Sequence, residues 1–78
     1  MWYVYILLCA DGSFYTGCTT DVERIITEHN SHKVHYTKIR TPVILKTYLA
    51  FTDKYLAFEF EKYLKTGSGI AFRNKHFL

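Results

Sequence analysis

The run "WYVYILLCADGSFYTGC", residues 2–18, constrains the fold more than any other stretch. Two segments rich in aromatic and β-branched residues flank Asp11-Gly12, a dipeptide of tight hairpin turns. The first segment is continuously apolar from Val4 to Leu8 and reads as a strand buried on both faces. "SFYTGC" is the returning strand. A two-residue loop would set Tyr15 opposite Leu8. A three-residue loop, Ala10-Asp11-Gly12 with Gly12 in the left-handed region, sets Tyr15 opposite Leu7. The second register places Tyr3, Tyr5, Tyr15 and Gly17 on one face. Trp2, Val4, Ile6, Leu8, Phe14 and Cys18 fall on the other. It is the expected register, because it separates phenols from aliphatics, leaving one buried and one working face. It also sends Cys9 and Cys18 to opposite faces, which argues against a bridge between them.

Downstream, Thr20 stands three residues before Glu23, the capping-box spacing, and Asp21 suits a helix N-terminus. The stripe Val22, Ile25, Ile26 and His29 has helical spacing, and Asn30 and Ser31 end the helix. Residues 32–42 form a polar, basic loop closed by Pro42. "VILKTYLAF" reads as a third strand. Thr52 is expected to cap a second helix that runs to about Lys65 and stops at Gly67, and Ser68 a short last helix through Phe77. The order is β-β-α-β-α-α: a small α/β fold with a three-stranded, mainly antiparallel sheet flanked by helices.

A chain of 78 residues is expected to be a single domain, 1–78. Its 49% hydrophobic and 18% aromatic content excludes disorder. The net charge of +3 tolerates a polyanionic partner without establishing one. Nothing resembles a signal peptide, and Val4 to Leu8 is too short to span a membrane. The expectation is a cytoplasmic protein with reduced thiols and no membrane partner.

With this order in hand, "YVY" at Tyr3 to Tyr5 and "YTG" at Tyr15 to Gly17 resemble the paired motifs of the GIY-YIG nuclease domain. "TTDVER" with His29 resembles the helix that follows them, and Ala57 and Glu61 in "AFEFEKYLKTGSG" resemble the family's glutamate helix. The resemblance covers nearly the whole chain and is nearest to the small stand-alone members. It implies divalent-metal-dependent hydrolysis of phosphodiester bonds in DNA, possible substrates including branched or nicked DNA, with Mg2+ or Mn2+ as cofactor. By the same resemblance Tyr5 and Tyr15 are the two motif tyrosines, one of which helps deprotonate the attacking water. His29 hydrogen-bonds near them, Glu61 is the single metal-holding carboxylate, and Gly17 is the structural glycine. The types suit the chemistry: phosphoryl transfer needs a placed nucleophile, cations against spreading negative charge, and a proton relay.

The sequence departs from the family at two places. Tyr3 stands where the first motif has glycine, and Ile25 stands at the position of the catalytic arginine. Arg24, one residue earlier, is rotated about 100° around a helix and points away from the stripe. Activity is therefore expected to be impaired. The rival reading is a non-catalytic nucleic-acid-binding module on the same scaffold, and a third is a protein-interaction domain. Each residue also has a plainer reading. Tyr5 and Tyr15 could be cross-strand aromatics, Glu61 could pair with Lys65 at i,i+4, His29 could be a satisfied core histidine, and Ile25 completes an apolar stripe. His29, His32 and His35 recur every three residues, but no cysteine joins them and zinc is not expected. Arg24, Lys33, His35, Tyr36, Lys38 and Arg40 are the expected nucleic-acid contacts, either solvated or steering and stacking a strand.

Overall fold

The computed structural model describes all residues, Met1–Leu78. The elements are β1 (Trp2–Leu8), β2 (Phe14–Thr19), α1 (Val22–Asn30), β3 (Ile44–Phe51), α2 (Lys54–Leu64) and α3 (Gly67–His76), in the expected order. The three strands form one antiparallel sheet in the order β2-β1-β3. Leu7 pairs with Tyr15 and Tyr5 with Gly17, the register of the three-residue loop. The loop closes through Cys9 N–H to the Ser13 carbonyl at 2.8 Å, and Gly12 has φ +85°, which a residue without Cβ adopts freely. The Asp11 carboxylate accepts from both the backbone and the hydroxyl of Ser13, which holds its carboxyl below the usual carboxylate range.

β1 is the central strand, and its Val4, Tyr5, Ile6 and Leu7 are all buried. Val4 and Ile6 pack with Ala57 and Leu64 of α2 and with Phe60, Phe72 and Phe77, so α2 and α3 cover this face. Each such fully buried aliphatic stabilises the fold by about 1.5–3 kcal/mol. The opposite face carries Tyr5, Leu7, Cys9 and Val43, covered by Ile25 and Ile26 of α1. The division into one buried and one working face is therefore too simple: the phenol face is a second core, and chemistry is confined to its margin. Cys9 and Cys18 sit in different cores, and both are free.

Helix starts differ from expectation by one or two residues. Asp21, not Thr20, caps α1, its carboxylate accepting from Arg24 N–H at 3.0 Å. Asp53, not Thr52, caps α2, and Thr66, not Ser68, caps α3. A carboxylate caps α1 and α2, where it also meets the positive helix end. The Thr66 hydroxyl accepts from Gly69 N–H and donates to the Tyr63 carbonyl, so one side chain ends α2 and opens α3.

The basic loop is fastened at several points. Asn30 exchanges hydrogen bonds with Val43 across its base, accepting from Val43 N–H at 2.8 Å and donating to its carbonyl at 3.3 Å. His32, at φ +64°, bonds the Lys38 carbonyl through Nδ1 at 2.8 Å. Arg40 donates to Asp11 at 3.0 Å and to the Tyr36 carbonyl. The loop ends in a cis Thr41–Pro42 bond.

Candidate active site

Alternation along β1 and β2 brings Tyr5 and Tyr15 onto the face under α1, their ring centres 6.2 Å apart. Between them stands His29, one helical turn beyond Ile25 and Ile26 on the buried stripe of α1. The Tyr5 hydroxyl lies 3.2 Å from His29 Nε2, and the Tyr15 ring packs edge-on to the imidazole at 4.9 Å. On the far side of the imidazole, Nδ1 lies 2.7 Å from Thr37 Oγ1. His29 and Thr37 are both fully buried. The Thr37 hydroxyl also lies 3.5 Å from the Val34 carbonyl. With the proton on Nδ1, Thr37 accepts from Nδ1–H and Nε2 accepts from Tyr5; with the proton on Nε2, Thr37 donates to Nδ1 and Nε2–H donates to Tyr5. No buried side-chain polar atom in the chain lacks a partner.

Burial sets the charge states. It drives the Tyr5 phenol pKa well above its ordinary value, with Tyr15, Glu61, Cys18 and Glu28 adding to the rise. It pushes the His29 pKa below its ordinary 6.5, and Glu28 opposes this. At neutral pH the pair is thus a protonated phenol hydrogen-bonded to a neutral imidazole.

Gly17 is what lets Tyr5 lie there. A Cβ at residue 17 would collide with the Oη and Cζ atoms of Tyr5. Because the Tyr5 ring is buried, it has nowhere to retreat. Gly17→Ala is expected to cost about 1–3 kcal/mol of stability, as overpacking does. It should also break the Tyr5–His29 bond. Urea denaturation and the His29 ring resonances check both; a variant of parental stability with unshifted resonances would contradict the close approach.

Glu61 stands on α2, on the opposite side of the sheet from α1. Its charge raises the pKa of both Tyr5 and Cys18. Its carboxylate holds Lys65 Nζ at 2.7 Å, the i,i+4 pair of the plainer reading. No group of three or more His, Cys, Asp or Glu side chains could hold a metal ion together. A lone carboxylate fits a hard ion that keeps most of its water shell, which would have to displace Lys65, and does not fit zinc.

The remaining expected residues divide. Ile25 is half-buried against the Tyr5 core, at the margin of α1. Arg24 is exposed and pairs with Glu28 at 3.2 Å. Tyr36 stacks beside Tyr15 at 5.5 Å, and the Arg40 guanidinium covers Tyr36 at 4.2 Å. Arg40 is therefore bound up in the loop's own framework. His35 and Lys38 line a shallow depression with Tyr36, whereas Lys33 is exposed beyond it. Sequence reasoning missed Thr37, whose only signal was a hydroxyl in a basic loop. It also missed Lys65 and Arg73 as groups beside Tyr15.

This arrangement defines a class: an α/β module that sets a tyrosine from each of two paired strands against a helix histidine, with one glutamate on the helix across the sheet. The GIY-YIG catalytic domain family matches residues 1–72, and the chain belongs to it. The family is of nuclease type, takes nucleic acid as substrate and generally uses divalent metals. A UPF0213 protein of Lacticaseibacillus paracasei is 48% identical over 65 residues, 82% of this chain and 73% of that protein. A UPF0213 protein of Desulfotalea psychrophila is 56% identical over 46 residues, covering 56% of this chain and 42% of that protein. The solution NMR structure of a UPF0213 protein from Bacillus halodurans matches with a TM-score of 0.60 at 42% identity, over 96% of this chain and 84% of that chain. The names of these relatives state no activity. No helix is long and apolar enough to cross a membrane.

Proposed function

We propose that the chain is a divalent-metal-dependent DNA phosphodiesterase, an endonuclease whose turnover is slowed by Ile25. The observation that carries this reading is the Tyr5–His29 pair at 3.2 Å beside Tyr15. A buried phenol with a raised pKa is a poor base alone. It becomes an effective relay when its own proton has a receptor. As the Tyr5 oxygen takes a proton from the attacking water, the Tyr5 proton passes to His29 Nε2 and the water oxygen bonds phosphorus. The opposite P–O ester bond breaks, its oxygen leaving as an alcohol with a proton taken from solvent water. The imidazolium that results is held by Thr37 on its other nitrogen. Glu61 would hold Mg2+ or Mn2+, which when bound supplies positive charge to a phosphate oxygen. Tyr15 borders both the imidazole and the strand edge, where it can position the phosphate. What the site lacks is a cation at residue 25 of α1: Ile25 offers only apolar contact there, and Arg24 lies outside the apolar stripe, beside Glu28.

That same lack favours the second reading, a nucleic-acid-binding module without catalysis. Both are tested by incubating the chain with nicked and branched DNA in Mg2+ or Mn2+, beside Glu61→Gln and a chelator control. The expected result is slow, metal-dependent cleavage that Glu61→Gln removes. Salt-sensitive binding without cleavage, in the parent and in Ile25→Arg alike, would leave the binding module as the function. Cleavage that survives Glu61→Gln would remove Glu61 from the metal site.

A further inference from the structure

We propose that the groove along the free edge of β2 holds a single unpaired nucleic-acid strand, with Lys65 and Arg73 contacting its phosphates. The proposal rests on the nucleic-acid reading above and names the form of substrate that the site receives. β2 is an outer strand, so one side of its backbone pairs with nothing in the sheet. Against that side lies a groove of about 310 Å³. Its walls are Phe14 and Tyr15 of β2, Tyr36 of the loop, and Lys65, Ile70 and Arg73 from the turn and helix beyond α2. A second depression of about 390 Å³, lined by His35, Lys38 and Arg40 among others, shares Tyr36 and continues the track.

The two depressions have one sign of charge: no carboxylate lines either. The chain's ion pairs are Arg24–Glu28, Arg40–Asp11 and Lys65–Glu61, so Arg73 has no acidic partner. Its guanidinium lies 5.1 Å over the Phe14 ring and bonds only Asn74. The Lys65 side chain is 54% exposed, and an exposed i,i+4 pair with Glu61 is weak enough for a phosphate to compete for its ammonium. These cations stand on the α2–α3 side of β2, opposite to α1, and so offer phosphate contacts that α1 with Ile25 does not.

The walls between the cations are aromatic and aliphatic. Phe14, Tyr15 and Tyr36 present rings, and Ile70 and Ile39 expose apolar surface. Such walls meet the faces of bases, which a duplex keeps stacked inside and an unpaired strand offers freely. The Tyr36 wall is preformed, with the Arg40 guanidinium 4.2 Å over the ring and the tilted Tyr15 ring 5.5 Å from it. Tyr15 belongs to the groove and also packs on His29. A strand in the groove therefore passes its backbone beside the proposed proton relay.

The test measures fluorescence anisotropy of a short unstructured oligonucleotide and of its duplex, in chelator, so that binding is read without cleavage. The single strand is expected to bind more tightly than the duplex. Lys65→Gln with Arg73→Gln should weaken it by about 10-fold or more and reduce the slope of log affinity against log salt by about 1.4, at ~0.7 per phosphate contact. Tyr36→Ala should weaken it by about 10-fold with the slope unchanged. Thermal melting verifies folding, and Lys65→Gln alone, with half the slope change, serves if the double variant unfolds. Unchanged affinity and slope in the cation variants would overturn the proposal. So would a duplex bound as tightly as the strand, or an acidic peptide captured through Lys65 and Arg73 where DNA is not. Strand binding through Lys65 and Arg73 in a chain that fails to cleave, even as Ile25→Arg, supports this proposal while removing the phosphodiesterase.

Discussion

Ile25→Arg is expected to raise metal-dependent cleavage by about 100- to 1000-fold, the size of effect that one preorganised cationic group has on charge developing in a transition state. The expected result follows from where residue 25 stands. It is half-buried, with its side chain against the core of Tyr5, Leu7, Cys9 and Val43. An arginine can keep its methylenes along Ile26 and carry its guanidinium outward at the margin of α1. There it enters the field of Glu28 and Glu61, the same charges that help raise the Tyr5 pKa, and so lowers the cost of an anion beside Tyr5. Because residue 25 is not fully enclosed, the change should cost little stability, checked by urea denaturation. The gain should appear in kcat and leave strand affinity nearly unchanged, since the groove cations Lys65 and Arg73 act on binding. It should vanish with Glu61→Gln. A parent that already cleaves as fast as the variant would mean that another cation supplies the clamp. A variant that fails to fold would mean that residue 25 is core and no vacated catalytic position.

How much of this could be read in the sequence depended on how local the determinant was. The Leu7–Tyr15 register followed from a turn dipeptide and an alternation of phenols and aliphatics, both within residues 2–18. That Tyr5 and Tyr15 share a face and His29 lies on the stripe of α1 followed from strand alternation and helical spacing, whereas their grouping as a site came from the family resemblance. The caps slipped by one or two residues because Thr20 and Asp21, or Thr52 and Asp53, are adjacent capping types, and the chain's entry angle decides between them. Thr37 was illegible because its meeting with His29 depends on a loop path set by Asn30–Val43 and by the left-handed His32. Arg40 reads as a free cation in a basic loop, yet Asp11, which binds it, lies 29 residues away. Lys65 and Arg73 become neighbours of Tyr15 only when α2 and α3 fold against the sheet.

Thr37→Val should keep the volume of residue 37 and disable the relay. Valine removes the oxygen that hydrogen-bonds His29 Nδ1 in a fully buried position. If the proton stays on Nδ1, a buried donor is left unpaired, at a cost of about 1–3 kcal/mol. If the imidazole escapes that cost by moving its proton to Nε2, it donates to Tyr5 and can no longer receive the Tyr5 proton. Either response lowers kcat, on the order of 100-fold where a proton acceptor is lost, with KM changed little. Thr37→Ser, which keeps the oxygen, should restore most of it. The imidazole nitrogen resonances separate a positioning role from a packing role. The parent and Thr37→Ser should report the proton on Nδ1, and Thr37→Val either a shift to Nε2 or a weakened Nδ1–H bond. The pH dependence has a definite sign. The folded His29 pKa lies below the 6.5 of the unfolded chain, so below pH 6.5 the unfolded chain binds a proton that the folded chain refuses. The stability from neutral His29 is therefore complete above pH 6.5, falls as the pH drops through that value, and stops falling below the folded pKa. Cleavage should be lost at lower pH than the stability begins to fall, as folded His29 itself takes a proton, because only neutral His29 accepts from Tyr5; His29→Gln should abolish the stability slope in the window above. A parent with the proton on Nε2, or a Thr37→Val chain with unaltered kcat and pH profile, would return Thr37 to a purely structural role.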